Sequence, residues 1–257
     1  MTNERLCLSN RIDLIILEIS EGIKEIQTLK SHKKSIRNII NINYNQILSL
    51  SIDGVLNIWS LNKKSNLYFC ITTVILSKNT NLKYNEILLI DDTKIVYYEI
   101  KDQQSRIKFL NLKTFLYIKE INNIDCLPDK SKMIVYEKYL IICSKFCIYV
   151  LDLNLYEIIY IDDSLKNSSI YKFKNQIYIF DSYLDFNEYK LENNKLLKIK
   201  DIFTFNKYYI QDLVLLNNQK LIIVNDHEEP IIWKFIEEES KIEKDSETQN
   251  NNFCSLF

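Results

Sequence analysis

The sequence predicts an all-β fold from its composition and from the length of its apolar segments. Hydrophobic residues make up 47% of the chain and aromatic residues 12%, with 17 Tyr and 12 Phe. Ile, Val, Tyr and Phe favour pleated, half-buried strands. The apolar runs are short and end at Asn, Asp, Ser or Lys, which is typical of strands. Examples are residues 95–100, 139–143, 176–180 and 220–224.

One hairpin signal supports this prediction. Residues 46–52 and 55–61 read as two strands, and Asp53-Gly54 lies between them. Asp-Gly is a strong hairpin signal because a type I′ turn needs positive φ at both central positions. We therefore predict a type I′ turn at Asp53-Gly54.

The second strand of this hairpin recurs along the chain. Comparable segments are residues 13–19, 106–112, 147–153, 185–191 and 230–235. Their last strong positions lie near Leu17, Trp59, Leu110, Leu151, Tyr189 and Trp233, a mean spacing of about 43 residues. A period of this length indicates a repeat architecture of six units.

Residues 31–61 resemble one complete WD40 repeat, the blade of a β-propeller. In that family a His, a Ser, a turn Asp and a Trp form a hydrogen-bonded tetrad. The resemblance maps the tetrad onto His32, Ser49 (or Ser51), Asp53 and Trp59, and His32 precedes Trp59 by 27 positions. The resemblance thus implies a structural role for these side chains.

The motif is incomplete in this repeat and degenerate elsewhere. Ser31 replaces the family Gly before the His, and Ser60 replaces the Asp that follows the Trp. Partial signatures remain at Asp152, which keeps the Asp of the Trp-Asp pair, and at Asp226 and Trp233. The resemblance covers most of the chain, but one repeat carries it strongly.

The resemblance implies a propeller of about six four-stranded blades over residues 1–236. Residues 237–252 are polar and acid-rich and read as a tail or loop. The N-terminus offers only three strands before His32, at residues 5–9, 13–19 and 24–29. We hypothesise that the ring is incompletely closed or that a strand within residues 253–257 closes it, because apolar residues return there.

Glycine and alanine are unusually rare. The chain has 2 Gly, and Ala is absent, which indicates a strongly AT-biased genome. Positive-φ positions are therefore expected to carry Asn or Asp, the next best residues there. Asn193-Asn194 and Asn217-Asn218 are placed accordingly.

Charge and cysteine usage bound the class of protein. The net charge of −1 and pI of about 6.2 give no basic footprint for nucleic acid over the whole chain. The 6 Cys form no C-x-x-C pair, and no signal peptide or membrane span is recognisable. Reduced thiols in the cytoplasm or nucleus fit this pattern best.

Candidate chemical sites have structural interpretations that we prefer. His32, Ser49 and Asp53 supply the residue types of a hydrolytic triad, yet no nucleophile elbow accompanies them. Cys143, Cys147 and His227 lack the further partners that a tetrahedral zinc site needs. We therefore expect no catalytic residues, no metal and no cofactor.

The resemblance implies a non-enzymatic scaffold subunit of a larger intracellular complex that binds other proteins or peptides and has no small-molecule substrate. One alternative is a six-bladed coat or nuclear-pore scaffold subunit that a partner strand completes. A second is a propeller in an RNA-processing or ribosome-biogenesis complex, with nucleic acid bound only indirectly if at all.

In a propeller, the loop before the first strand of a blade and the loop between its second and third strands open onto one face. Here such loops carry polar and aromatic side chains that ring closure does not require, a composition typical of interfaces. We predict a partner face that includes Lys33, Lys34, Phe146, Tyr183 and Glu228.

Overall fold

The structure is a computed structural model that describes residues 4–19, 22–30, 32–76, 83–101, 104–122, 124, 132–144, 146–165, 168–173, 176–180, 185–204, 210–215, 220–225, 231–234 and 243–244. Within them every regular element is a β-strand, and the strands form six antiparallel sheets. We number these sheets as blades 1 to 6. The chain divides into two compact units, residues 1–170 with 193–195, and residues 171–192 with 196–257.

The first unit contains blades 1 to 4. Blade 1 consists of β1 (Glu4–Asn10), β2 (Asp13–Ile19) and β3 (Ile23–Lys30), and blade 2 of β4 (Ile36–Asn43), β5 (Gln46–Ser51), β6 (Val55–Asn62) and β7 (Leu67–Ile75). Blade 3 consists of β8 (Lys83–Asp91), β9 (Lys94–Lys101), β10 (Gln104–Asn111) and β11 (Tyr117–Asn122). Blade 4 consists of β12 (Lys132–Tyr136), β13 (Tyr139–Cys143), β14 (Ile148–Asp152) and β15 (Glu157–Asp162).

The second unit holds most of the last two blades. Blade 5 consists of β16 (Ser169–Phe173), β17 (Gln176–Phe180), β18 (Asp185–Glu192) and β19 (Lys195–Thr204). Blade 6 consists of β20 (Ile210–Leu215), β21 (Lys220–Asn225), β22 (Ile231–Lys234) and β23 (Glu243–Lys244). In blade 5 the rings of Tyr178 and Phe186 stack with centroids 5.3 Å apart. The short strand β23 lies inside the predicted polar tail, and the 253–257 closing strand lies outside the described residues.

The predicted period is present in the pairing of the strands. In each of blades 1 to 4 the next-to-last strand pairs with the last strand through a register shift. The shift falls immediately before Leu17, Trp59, Leu110 and Leu151, the positions that the sequence analysis aligned. The three strands of blade 1 therefore correspond to the second, third and fourth strands of blades 2 to 4. Among the described residues, blade 1 lacks the first strand.

Apolar side chains between adjacent blades form the core of the first unit. Leu14 and Ile16 of blade 1 pack with Ile47, Trp59 and Tyr68 of blade 2. A second cluster joins blades 2 and 3, and a third joins blades 3 and 4. Each fully buried aliphatic side chain contributes about 1.5–3 kcal/mol. The middle strands of blades 2 and 4 are buried on both faces, whereas buried and half-buried residues alternate along β2 of blade 1.

The turn at Asp53-Gly54 differs from the type I′ turn that we predicted. The Gly54 N–H donates to the Ser51 carbonyl at 3.0 Å, and φ is positive at Gly54 (76°) but not at Asp53. The loop therefore has three residues, with a turn centred on Ile52-Asp53 and the left-handed residue after it. Glycine supplies that final conformation, so Asp53 is left free to adopt an ordinary turn geometry.

Positive φ is found at Asn193 and Asn194, as predicted, and at Asn66. The expectation that only Asn or Asp would fill such positions was wrong. Arg11, Phe115, Glu137 and Tyr156 also adopt left-handed φ values between 52° and 57°. In a chain with two glycines, tertiary packing and turn hydrogen bonds hold these residues in a conformation that their side chains disfavour.

Candidate functional site

Three of the four predicted tetrad residues form a buried hydrogen-bonded chain in blade 2. The Trp59 indole Nε1–H donates to Ser49 Oγ at 2.9 Å, and Ser49 Oγ lies 2.7 Å from His32 Nε2. Ser49 is on β5, Trp59 is on β6, and His32 precedes β4, so the chain ties three parts of the blade together. All three side chains are buried.

Two residues that the sequence analysis did not single out extend this chain. Asn57 Nδ2 lies 3.2 Å from His32 Nε2, and Thr73 Oγ1 donates to Asn57 Oδ1 at 2.8 Å. Asn57 is directly opposite Ser49 in the β5–β6 register, and Thr73 is opposite Asn57 on β7. The network therefore reaches the outer strand of the blade. We name the five side chains Trp59, Ser49, His32, Asn57 and Thr73 the blade 2 network.

Asp53 takes a different partner from the one that the resemblance implies. Ser51 Oγ donates to Asp53 Oδ1 and lies 3.1 Å from the Val55 carbonyl oxygen. Within the described residues no hydrogen bond joins Asp53 to His32. The carboxylate thus fastens the β5–β6 turn, while Asn57 occupies the other side of the imidazole.

Burial lowers the pKa of His32 below its ordinary value of 6.5, and the negative charge of Asp53 offsets this only in part. The neutral imidazole is therefore the form that the network holds at neutral pH. A neutral ring nitrogen can accept a hydrogen bond, which suits the surrounding Ser49 and Asn57. The electrostatics thus match a structural hydrogen-bond network.

The geometry gives Ser49 no access to a substrate. Its exposed fraction is 0%, that of His32 is 6%, and the indole of Trp59 covers the hydroxyl. A hydrolytic arrangement requires a nucleophile that a substrate can reach and a carboxylate that orients the imidazole. The residues lack both, so their chemistry is to position the loop that begins at His32.

Asp152 fastens the β14–β15 turn, and a turn of the same kind recurs in blades 2 and 3. Its carboxylate accepts the backbone N–H groups of Asn154 and Leu155 at 2.8 and 3.2 Å, and Lys138 lies 3.3 Å away. These contacts lower the pKa of Asp152 against the opposing effect of burial. Tyr156 closes the turn with a 2.8 Å bond to the Asp152 carbonyl.

Blades 2 and 3 contain the same turn with Asn in place of Asp. Asn62 and Asn111 each accept two backbone N–H groups two and three residues ahead. Asn66 and Phe115 then donate to the first carbonyl of the turn at 2.7 and 2.8 Å, with positive φ. The signal that could have revealed this motif is an Asn or Asp four residues before the left-handed position.

The other edge of blades 1 and 2 carries an exposed patch that three loops assemble. The Ile36 N–H donates to the Arg11 carbonyl at 2.5 Å, which joins the β1–β2 turn to the start of β4. The Ile52 N–H donates to the Ser35 carbonyl at 2.9 Å, which joins the β5–β6 turn to the same loop. His32 lies at the beginning of that loop, so the blade 2 network supports the patch from below.

Cations and aliphatic side chains make up this surface, which we name the basic–aliphatic patch. Ile12 and Ile52 expose 41% and 42% of their surface. The exposed cations are Arg11, Lys30, Lys33, Lys34 and Arg37. Within the described residues none of these cations has an acidic side chain at ion-pair distance. Two half-buried carboxylates belong to the same region: Asp13 begins β2, and Asp53 lies in the β5–β6 turn.

The other predicted site residues are spread over several blades. Phe146 lies in the β13–β14 connection and exposes 47% of its surface. Trp233 lies on β22, opposite Leu221 and Lys244. Tyr183, Asp226 and Glu228 lie outside the described residues, as does His227. The structure thus brings Lys33 and Lys34 together in one patch and leaves the rest of the predicted partner face a prediction.

Among the described residues, no group of three or more His, Cys, Asp or Glu side chains could hold a metal ion. Four cysteines are described: Cys7, Cys70 and Cys147 are free thiols, and the Cys143 thiol donates to the Ser168 carbonyl at 2.9 Å. The described part of the chain contains no helix with the length and hydropathy that a membrane span needs.

Solved structures similar to this chain are propellers at low sequence identity. One is BamB from Moraxella catarrhalis, with a TM-score of 0.59 and 12% identity over 87% of this chain and 67% of that chain. A second is the β-propeller domain of Cps50 (Swd1) from Myceliophteria thermophila, with a TM-score of 0.64 and 13% identity over 91% of this chain and 83% of that one.

A third similar structure is a functionally unknown protein from Desulfotomaculum acetoxidans DSM 771, with a TM-score of 0.70 and 7% identity over 95% of this chain and 78% of that one. No family model matches the chain, and no curated protein sequence matches it. Together with the six antiparallel sheets, the similar structures establish the predicted fold class, an all-β propeller.

Proposed function

We propose that this chain is a non-enzymatic interaction scaffold, a WD40-type propeller whose basic–aliphatic patch binds an acidic, aliphatic segment of a partner protein. The observation that carries the proposal is the assembly of three loops into one exposed surface with five cations that lack ion-pair partners among the described residues. The buried blade 2 network fixes the loop that presents Lys33 and Lys34. A loop that is already fixed in this way loses little conformational entropy when a partner binds.

The chemistry of the patch defines the partner. Exposed cations attract carboxylates and raise the rate of association. Ile12 and Ile52 supply exposed apolar area, and a partner that covers this area removes it from water, which is favourable. The patch lacks an exposed aromatic side chain on which a nucleic-acid base would stack. These properties favour a protein segment over RNA, and the free thiols suit a cytoplasmic or nuclear complex.

The test compares two pairs of lysines in the same blade. Lys33 and Lys34 lie in the patch, while Lys63 and Lys64 lie in the β6–β7 turn at the opposite edge, and all four are exposed. We expect Lys33→Glu/Lys34→Glu to lose the partners that co-purify with the wild-type chain from its own cells. The control variant Lys63→Glu/Lys64→Glu carries the same change of charge and should retain them.

Three further outcomes decide the proposal. Binding should weaken as salt is added, since exposed charges are screened. Retention of every partner by Lys33→Glu/Lys34→Glu, with the thermal transition unchanged, would show that the patch is not the binding site. Loss of the partners after nuclease treatment would instead support the RNA-associated alternative.

A second candidate function rests on blade 1. Within the described residues β1 pairs with β2 on one edge, and no strand pairs with its other edge. We propose, as the alternative, a scaffold that a strand supplied by a partner completes. The competing hypothesis, that residues 252–257 supply this strand, concerns residues outside the described ones and stays a prediction. Deletion of residues 252–257 distinguishes the two hypotheses. If the chain's own strand closes the ring, the deletion should lower the stability of the isolated chain. If a partner supplies the strand, the deletion should leave that stability unchanged.

A further inference from the structure

The hydrogen bonds of the blade 2 network run in a fixed direction. The Trp59 N–H donates to Ser49 Oγ at 2.9 Å, and the Ser49 hydroxyl keeps its own hydrogen for His32 Nε2, which lies 2.7 Å away. On the other side of the imidazole, Thr73 Oγ1 donates to Asn57 Oδ1 at 2.8 Å. The amide of Asn57 therefore turns its nitrogen toward the imidazole and its oxygen toward β7.

The position of Thr73 gives its hydroxyl control over this direction. Thr73 lies opposite Asn57 in the β6–β7 register, and Asn57 lies opposite Ser49, so the three side chains share one face of the blade. An amide presents an acceptor at one end and donors at the other, and the two ends have nearly the same shape. A hydroxyl that donates to the oxygen end leaves the N–H end for the imidazole.

An N–H group beside the imidazole selects one form of the ring. Asn57 Nδ2 lies 3.2 Å from His32 Nε2 and 3.4 Å from His32 Nδ1. Because the Ser49 hydroxyl and the amide nitrogen both direct hydrogens toward Nε2, this nitrogen accepts, and the ring hydrogen belongs on Nδ1. Two neighbours thus hold the imidazole neutral and in a single tautomer.

We propose that Thr73 is a positioning residue for the basic–aliphatic patch. Its hydroxyl orients the Asn57 amide, and the amide fixes the tautomer of His32. His32 begins the loop that presents Lys33 and Lys34, so buried side chains join the outer strand to the binding surface. This inference rests on the proposed function of the patch, because it concerns how that patch is held in shape for its partner.

Loss of the Thr73 hydroxyl removes the donor that favours this orientation. In Thr73→Val the amide oxygen is free to turn toward the imidazole, where it accepts a hydrogen bond from Nε2. The ring hydrogen then belongs on Nε2, and the Ser49 hydroxyl loses its acceptor in the ring. The loop that begins at His32 is then held less firmly, although the Ser35 carbonyl still accepts from the Ile52 N–H.

The first measurement records the imidazole nitrogens of the isotope-labelled chain by NMR at neutral pH. We expect the wild type to show a protonated Nδ1 and an unprotonated Nε2 at His32. Thr73→Val should shift the ring toward the tautomer with its hydrogen on Nε2. Thr73→Ser keeps the hydroxyl and should give the wild-type signals. The variant His32→Gln identifies which signals belong to His32 and which to His227.

Thr72→Val is the matched control. It makes the same chemical change at the neighbouring position of β7, but Thr72 lies opposite Ile58, whose side chain packs in the cluster between blades 2 and 3. This variant should leave the His32 signals unchanged. Unchanged His32 signals in Thr73→Val would overturn the inference, and so would an equal shift in Thr72→Val, since the effect would then not depend on the bond to Asn57.

The second measurement tests the same variants for the partners that co-purify with the wild-type chain from its own cells. Thr73→Val should retain several-fold less partner, and Thr73→Ser and Thr72→Val as much as the wild type. If Lys33→Glu/Lys34→Glu loses the partners and Thr73→Val keeps them all, this inference is overturned and the proposed function stands. If Lys33→Glu/Lys34→Glu keeps them all, the proposed function fails and this inference about binding fails with it.

Discussion

Ser49 Oγ stands between the Trp59 indole and the His32 imidazole, at 2.9 Å from one nitrogen and 2.7 Å from the other. One hydroxyl therefore links a core tryptophan of β6 to the loop that presents the basic–aliphatic patch. The stability of the blade and the shape of its exposed edge depend on the same buried atom.

Replacing Ser49 by Ala should destabilise the fold by about 1–3 kcal/mol, because the Trp59 N–H and His32 would lose their buried partner. Ser65→Ala, in the exposed β6–β7 turn, is the matched control and should change stability little. Urea unfolding measures both. An unchanged unfolding midpoint for Ser49→Ala would contradict the network.

The pKa of His32 predicts how stability depends on pH. Because burial lowers the folded-state pKa below 6.5, the unfolded chain binds the proton more readily. The stability that neutral His32 contributes is fully present above pH 6.5. It is lost as the pH falls from 6.5 through the folded-state pKa of His32. His32→Gln should flatten this part of the stability profile. His227→Gln, which changes the chain's other histidine, is the control.

Gly should stabilise the fold more than Glu does at position 137. Glu137 is an exposed residue of the two-residue β12–β13 turn, and its φ is 52°. The first position of such a turn favours Gly when φ is positive there alone. Glu137→Gly should raise the free energy of unfolding by about 1 kcal/mol, the size of the left-handed penalty. Glu157→Gly, at an exposed position of β15, should lower it. Chemical denaturation of the two variants beside the wild type measures both changes.

Lys108 and Glu99 form a pair that should be costly to break. Lys108 Nζ lies 2.7 Å from Glu99 Oε2, and the Glu99 side chain is only 2% exposed. Lys108→Met leaves this carboxylate without its cation and should cost about 3–5 kcal/mol. Replacing both residues by Met should restore most of the loss. Thermal unfolding of the single and double variants gives the coupling between them.

Much of the fold could be predicted because equivalent residues recur at a regular spacing along the chain. In the structure these residues directly follow the register shifts between strands. Leu17, Trp59, Leu110 and Leu151 follow those shifts, and their spacing can be read directly along the chain. The number of sheets followed from that period, and the short first blade followed from the three strand-like segments before His32. The finer features of the turns depend on contacts that spacing alone does not specify.

The candidate site was only partly predictable for the same reason. His32, Ser49 and Trp59 could be found by their resemblance to a motif, but Asn57 could not. Its role depends on standing opposite Ser49 in the β5–β6 register, a relationship between strands. Arg11 likewise joins Lys33 and Lys34 only through a backbone bond to Ile36. Short-range patterns do not contain such pairings.

The turns fastened by Asn62, Asn111 and Asp152 have a consequence for the order in which the chain folds. The backbone N–H groups that donate to Asn62, Asn111 and Asp152 within these turns lie no more than four positions away. Contacts this local form early, because little chain entropy is lost in bringing their ends together. We expect the hairpins β6–β7, β10–β11 and β14–β15 to appear first as the chain leaves the ribosome, with each earlier blade already shaped before the next is synthesised.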